Sequence, residues 1–464
     1  MRTLTVVFCL FALNAWSASP LIEYVRRPDP SFRFGVVDET GGEGYRVGTL
    51  RMTSQNWLTP QEVDQTEWWH WVHVVIPEEV EKPTALLFIG GGSNRDETPD
   101  EVDASMIELA MATQSVVASL SMVPNQPLKF HGSDEGLYED ALIAYGWDQF
   151  LKTDDPRWLA RLPMTKSAVR AMDTVVSYVA QAEPEAPKVE DFVVAGASKR
   201  GWTTWTTAIA DPRVRAIAPI VIDMLNVVPS FDHHWQALGF YSVAVQDYEN
   251  MNIQERMDTP EFQKLLKIVE PYEYRDQLTM PKLLINGASD EFFLPDSWRF
   301  YFKDLPGPKG VRYVPNAGHG LDGSDAPETL TAYHALMIAG EPIPEVTWEL
   351  TEGGVLEAKT DTAPRETLVW RATNPKARDF RLPIIGQTWE SEAIKVNGDG
   401  LYSAELTEPD EGWTASFIEF TYELDAAPTP LKLTTGIYVT PDTLPYDLES
   451  RATSTRVDPL AERE

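Results

Sequence analysis

The sequence predicts a mostly parallel α/β domain followed by a small all-β domain, and three observations carry that prediction. Short apolar runs alternate with helical stretches from about residue 84 to residue 339, the rhythm of a buried parallel sheet covered by helices on both faces. After Gly340-Glu341-Pro342 the texture changes to strand-like segments parted by turn residues, the pattern of a small antiparallel sandwich. The 464 residues, 43% hydrophobic and 24% charged, suffice to bury a core in two folded domains.

The first element is an address label. Met1-Arg2 is a short positive start, residues 4–13 are an apolar run, and Ala15-Trp16-Ser17 offers small residues for cleavage. Residues 1–18 are expected to be a signal peptide; the run is too short to span a bilayer. No later stretch is long enough either, so the expectation is an exported protein, periplasmic or extracellular, without membrane insertion. The only cysteine, Cys9, lies inside the apolar run. The expected mature chain therefore has no thiol, which excludes disulfides, a cysteine nucleophile and thiolate metal sites. With 39 Lys+Arg against 71 Asp+Glu and a net charge of −32, the chain lacks the basic footprint that nucleic acid requires.

Residues 19–342 are expected to form the α/β domain. Residues 20–66 read as mixed and turn-rich, and 67–76 as a strand whose Trp68, Trp69, Trp71 and Val72 suit a pleated surface. Strands are predicted at 84–89, 115–120, 192–195, 216–222, 282–286 and 311–314, with helices at 137–152, 164–182 and 202–210. Residues 226–274 break the rhythm and read as an inserted lid, and 329–339 as the last helix. Residues 343–441 form the β domain, with strands at 347–350, 366–372, 416–422 and 431–439. The polar stretch 442–464 is expected to fray.

One run carries the strongest chemical signal: Asp191-Phe-Val-Val-Ala-Gly196-Ala-Ser198-Lys-Arg-Gly201-Trp202. A buried strand enters a tight turn bearing a serine, and a helix follows at once. That is a nucleophile elbow, in which a small residue two places before the serine permits the strained turn. The following helix N-terminus offers N–H groups to an oxyanion. The usual second glycine, two places after the serine, is replaced by Arg200, with Gly201 one place later. Downstream, the strand at 282–286 runs into Gly287-Ala-Ser-Asp290-Glu291, and the strand at 311–314 into Asn316-Ala-Gly318-His319-Gly320. Serine, acid and histidine in that chain order, each after a strand, are expected of an α/β-hydrolase. Ser198 is then the nucleophile, His319 the base and Asp290 the acid that orients it. Upstream, the strand at 84–89 ends in Gly90-Gly91-Gly92-Ser93-Asn94, where Gly91 and Gly92 supply the second oxyanion donor beside the Lys199 amide.

These residues carry a resemblance. The elbow run, Pro281-Lys-Leu-Leu-Ile-Asn-Gly-Ala-Ser-Asp290-Glu-Phe-Phe-Leu-Pro-Asp296, the Gly-Gly-Gly-Ser-Asn loop, Val123-Pro-Asn-Gln-Pro-Leu and Glu139-Asp140-Ala-Leu-Ile-Ala-Tyr resemble the PhoPQ-activated pathogenicity-related family, which also includes a secreted autocrine proliferation repressor. The resemblance spans roughly residues 30 to 440 and implies an exported α/β-hydrolase-like protein with a peptidase role. The Gly-x-Ser-basic-x-Gly arrangement is also similar to the elbow of glucuronoyl and acetyl-xylan esterases.

The expected activity is a serine hydrolase acting on a peptide or ester bond of a small-molecule or peptide substrate, with no cofactor and no metal. The rival class is a secreted binding or signalling protein on a catalytically silent hydrolase fold. Lys199 and Arg200 flank the nucleophile in an acidic chain: either their side chains answer nearby carboxylates, or Arg200 is a candidate contact for an anionic group of the substrate. Asp223 is an alternative acid. His70 and His73 read as packed histidines, Asp232-His233-His234 as part of the lid, and Glu139-Asp140 as structural.

Overall fold

The computed structural model describes residues 19–98, 102–133, 135–398 and 400–461, so the expected signal peptide lies outside the described residues. The α/β region is built on a sheet of nine strands: β1 (Arg33–Gly42), β2 (Tyr45–Asn56), β3 (Glu67–Pro77), β4 (Thr84–Ile89), β5 (Val117–Leu120), β6 (Asp191–Ala197), β7 (Val214–Ile220), β8 (Lys282–Gly287) and β9 (Lys309–Val314). Their spatial order is β1-β2-β3-β5-β4-β6-β7-β8-β9. The pairs from β5 through β9 are parallel, while β1, β2 and β3 run antiparallel to their neighbours. From β4 the chain moves outward to β5, and from its neighbour β6 it moves the opposite way to β7. A crevice opens at such a switch point, outside the carboxyl ends of the strands.

Among the described residues, nine helices accompany the sheet: α1 (Pro20–Arg26), α2 (Ala104–Thr113), α3 (Glu139–Thr153), α4 (Arg161–Ala182), α5 (Lys199–Ala210), α6 (Val227–Leu238), α7 (Gln246–Asn250), α8 (Pro260–Val269) and α9 (Ala326–Ala339). Successive strand residues feed opposite layers, as the two-residue period requires. Ala85, Leu87 and Ile89 of β4 join a core with Met172 of α4 and Trp205 of α5, whereas Leu86 joins a second core with Leu109 of α2 and Leu336 of α9. The segment expected as a lid, and so called below, is the α6–α8 excursion between β7 and β8.

The C-terminal region forms two antiparallel sheets. One is β10 (Val346–Leu350), β11 (Val355–Thr360) and β14 (Tyr402–Glu405); the other is β12 (Glu366–Asn374), β13 (Glu390–Ala393), β15 (Trp413–Tyr422), β16 (Leu431–Thr434) and β17 (Tyr438–Thr440). Leu356 and Ala358 of the first share a core with Val369, Ile418 and Phe420 of the second, and that core continues into Leu330 and Tyr333 of α9. The region also covers the edge strand of the large sheet: the Tyr313 N–H of β9 donates to Thr434 Oγ1 at 3.1 Å. A covered edge does not recruit other chains.

Three expectations are corrected. Residues 20–66 are not mostly turn but hold α1, β1 and β2; β1 is exposed along nearly its whole length and so shows no apolar alternation. The single strand expected at 431–439 is broken between β16 and β17, where a side chain on Gly436 would meet the Trp298 ring at 2.0 Å. The described part of the tail, residues 442–461, is held to the body rather than frayed. Asp458 is buried in a bidentate ion pair with Arg381, at 2.6 and 3.0 Å, and accepts the Val243 N–H of the lid at 2.7 Å.

Candidate active site

The elbow follows from local sterics. Ser198 sits between β6 and α5 at φ 58° and ψ −125°, a conformation that costs an L-residue about 1–3 kcal/mol. Its N–H is secured by the Ile220 carbonyl at 2.8 Å. A side chain on Gly196 would strike the Arg200 carbonyl at 2.8 Å, and one on Gly201 the Ile222 side chain at 2.8 Å. Both glycines are therefore close-approach positions, and the second has moved one place along the helix, from 200 to 201.

Asp290 and His319 meet where the loops after β8 and β9 touch. His319 Nδ1–H donates to the Asp290 carboxylate, at 2.8 Å to Oδ2 and 3.0 Å to Oδ1. The same carboxylate accepts the Phe292 N–H at 2.7 Å, so the acid is locked by its own loop. The histidine backbone is fixed as well, its N–H donating to Glu291 Oε2 at 2.7 Å. The proton on Nδ1 leaves Nε2 as the acceptor. That nitrogen is buried and makes no hydrogen bond to any described residue, the Ser198 hydroxyl included. Catalytic hydrogen bonds of this kind often tighten only when substrate is bound. The Phe292 ring lies 4.1 Å from the imidazole, centroid to centroid. Asp223 is not brought to His319. It accepts from the hydroxyls of Tyr301 and Tyr313, and burial pushes its carboxyl up to about 7.

Gly91 and Gly92 lie in the loop that follows β4, next to the elbow. A side chain on Gly91 would lie 2.7 Å from the Arg200 guanidinium, which places the loop directly against the start of α5. Arg200 itself departs from the expectation of a substrate contact. Its Nε donates to the Val123 carbonyl at 2.5 Å and its Nη2 to Glu139 Oε1 at 2.5 Å. Lys199 Nζ lies 2.9 Å from Glu139 and 3.0 Å from Asp140. Both cations answer carboxylates of α3, and the acidic chain supplies their partners from its own excess. Burial opposes the Glu139 charge, but the Arg200 hydrogen bond and the Arg200 and Lys199 charges outweigh it and hold that carboxyl at about 2.

Beside Ser198 lies a small cavity of about 40 Å³, walled by Trp147, Trp202, Phe231, Tyr248, Phe292 and Phe293. The lid contributes to it through Phe231 of α6 and Tyr248 of α7. His233 bonds Asp296 at 2.9 Å while His234 accepts the Ser242 N–H at 3.0 Å, so the adjacent lid histidines serve different partners. Among the described residues no group of three His, Cys, Asp or Glu side chains is placed to hold a metal ion, and no helix is long and apolar enough to cross a membrane.

Sequence reasoning missed how the C-terminal region reaches the site. Trp389 is buried; its indole N–H donates to Ser289 Oγ at 2.9 Å, its backbone N–H to Asn316 Oδ1 at 2.9 Å, and its carbonyl accepts from Asn316 Nδ2 at 3.0 Å. Ser289 precedes Asp290, and Asn316 stands three residues before His319. One tryptophan thus ties together the two loops that carry the acid and the histidine. Its only sequence signal was a large aromatic between two polar stretches.

A profile of the PhoPQ-activated pathogenicity-related protein family matches residues 21–381. The chain is 35% identical over 475 residues to autocrine proliferation repressor protein A of Dictyostelium discoideum, across 96% of this chain and 95% of that protein. Among solved structures it is similar to an acetyl xylan esterase from Paenibacillus sp. R4, at 14% identity, 64% of this chain, 85% of that one and a TM-score of 0.45. It is also similar to an acylaminoacyl peptidase from Pyrococcus horikoshii, at 15% identity, 68% of this chain, 50% of that one and a TM-score of 0.38. The mostly parallel sheet followed by an antiparallel β region matches the fold class expected from the sequence, and the chain belongs to the PhoPQ-activated pathogenicity-related protein family.

Proposed function

We propose that the protein is an exported serine hydrolase that cleaves an acyl bond through Ser198, His319 and Asp290. Ser198 Oγ attacks the carbonyl carbon, His319 Nε2 takes its proton, and Asp290 holds the imidazole in the tautomer that can do so. The N–H groups of Lys199 and of the 91–92 loop receive the oxyanion. His319 returns the proton to the leaving group, and water, activated the same way, releases the acyl group from the serine. The single observation that carries this reading is the strained backbone of Ser198 at the switch point. Strain of this kind clusters at functional sites, and here it falls on the serine of the elbow.

The cavity beside Ser198 supports a short acyl group. A water needs roughly 10–15 Å³ of such space, so about 40 Å³ accommodates few heavy atoms. The positive start, apolar run and small-residue end of residues 1–17 support export, checked by the intact mass of the exported chain. The reaction itself is tested with a fluorophosphonate probe. Wild type is expected to be labelled on Ser198; Ser198→Ala is not. His319→Ala lowers turnover by several orders of magnitude, and the double variant is little worse because the residues act as a unit. An unlabelled wild type supports the rival reading, a binding or signalling role on a silent fold.

A further inference from the structure

The two arms of the oxyanion hole come from different parts of the chain, and their own backbone bonds lead apart. The Gly90 and Gly91 carbonyls accept from Val123 and Met122, whereas the Ser198 N–H goes to Ile220 in β7. Donors on separate loops serve an oxyanion only if their relative position is fixed to within a fraction of an ångström. Something must hold them.

We propose that Glu139 is a positioning residue that holds these two arms in register; the inference rests on the serine-hydrolase reading above. Its Oε1 accepts from Arg200 Nη2 at 2.5 Å and from Gln126 Nε2 at 2.5 Å, and its Oε2 lies 2.9 Å from Lys199 Nζ. Its backbone N–H donates to Gln126 Oε1 at 2.7 Å, and Gln126 Nε2 also reaches the Gly92 carbonyl at 3.2 Å. One path therefore runs from the elbow through Glu139 and Gln126 to Gly92. A second runs from Arg200 through the Val123 carbonyl, and the Val123 N–H donates to Gly90. Both paths leave from the first two residues of α5, and both end on the glycine loop.

Two further features fit this role. Glu139 sits at φ 49°, a conformation an L-residue rarely adopts, at the first position of α3. A side chain at position 91 would lie 2.7 Å from the Arg200 guanidinium and push it from its partners. Arg200, the departure from the usual elbow, is then the elbow's half of the tie. A lysine there carries the charge but not the planar fork that meets a carbonyl and a carboxylate at once.

The test uses the full chain and the variants Glu139→Gln and Arg200→Lys. Readouts are kcat and KM on an aryl ester, the rate of fluorophosphonate labelling, thermal stability, and affinity for a boronic acid that forms a tetrahedral anion on Ser198. Losing one oxyanion donor costs about 10²–10³ in kcat; a displaced donor is expected to cost about 10- to 100-fold. The prediction is that kcat, labelling rate and boronate affinity fall by the same factor while KM shifts less than about twofold. A purely structural residue would lower the amount of folded protein and leave boronate affinity per folded site unchanged, and that result overturns the proposal. Wild-type kinetics in Arg200→Lys overturns it too, even if Glu139→Gln does not fold. If wild type itself is not labelled, the serine-hydrolase reading fails. If wild type is labelled and Glu139→Gln matches it, only the positioning role fails.

Discussion

The α/β region and the C-terminal β region use the same interactions to different ends. In the first, strained backbone and paired charges gather at the carboxyl ends of β4, β6, β8 and β9. Ser198, the glycine loop, Asp290 and His319 all stand there. In the second, the strongest polar groups sit at the seam with the first. Arg378 is fully buried and bonds Asp296 of the loop after β8 at 2.6 Å, and Asp296 also accepts from His233 of the lid. Arg381 binds Asp379 and the tail's Asp458, and Trp389 clasps the acid and histidine loops. One region holds Ser198, Asp290 and His319; the other clasps the loops that carry the last two.

Acid should separate the two regions most sharply. All seven histidines precede residue 343. Burial holds His70 at about 4 and both His234 and His334 at about 3, below the ordinary histidine value. A folded pKa below the unfolded one gives stability that is complete above about 6.5 and is lost as pH falls. Each of the three is expected to lose roughly 3 kcal/mol at pH 4. Asp223 and Glu270, which burial raises to about 7, act with the opposite sign. They remove stability as pH rises from the carboxylate range through 7. Hydrogen exchange at pH 4.5 should show β4 and β6 losing protection no later than β12 and β15, and His334→Gln should flatten the slope below pH 6.5. Loss of β12 and β15 first would break the comparison.

The seam comes next in size. Arg378→Ala leaves Asp296 buried with its main counter-ion gone, and removing one partner of a buried pair costs about 3–5 kcal/mol. Urea unfolding should show that loss as one transition, because the regions share a core. A loss below about 1 kcal/mol, or two separate transitions in wild type, would mean the regions are merely adjacent.

How much of this was legible in the sequence depended on how locally each feature is determined. The strand at 84–89 is observed with the expected ends because a strand buried on both faces is apolar throughout. The placement of Ser198, Asp290 and His319 after β6, β8 and β9 was legible because each occupies a strand-to-loop junction with glycine nearby. β1 was not, since Val36 and Val37 are about half exposed, at 48% and 49%, and nothing marks an inside face. Which of the two readings of Arg200 holds was not legible for a related reason: its charge stood out in the sequence, but its partner Glu139 is 61 residues away. Pairings at that distance leave no pattern in a single sequence. The same holds for Arg378 with Asp296 and for Trp389 with Ser289 and Asn316.

The finest test of the comparison is Trp389→Phe. The substitution keeps most of the ring and both backbone bonds to Asn316, and removes only the indole N–H that donates to Ser289 Oγ. Ser289 is 1% exposed, so its hydroxyl loses a partner that water does not replace. One such bond is worth about 1 kcal/mol, and the expected stability loss is of that size. Ser289 also receives the Leu382 N–H on its carbonyl at 2.8 Å and gives its own N–H to Ala317 at 3.0 Å. Its neighbour Asp290 is therefore held by several bonds and should shift only slightly. If the β region serves the site by holding this loop, kcat on an aryl ester falls several-fold with KM unchanged, because the acid acts only through His319. Asn316→Ala, which removes the other two bonds, should lower kcat further in the same manner. If both variants lose stability and keep wild-type kcat, the β region supports the fold of its neighbour without tuning its chemistry.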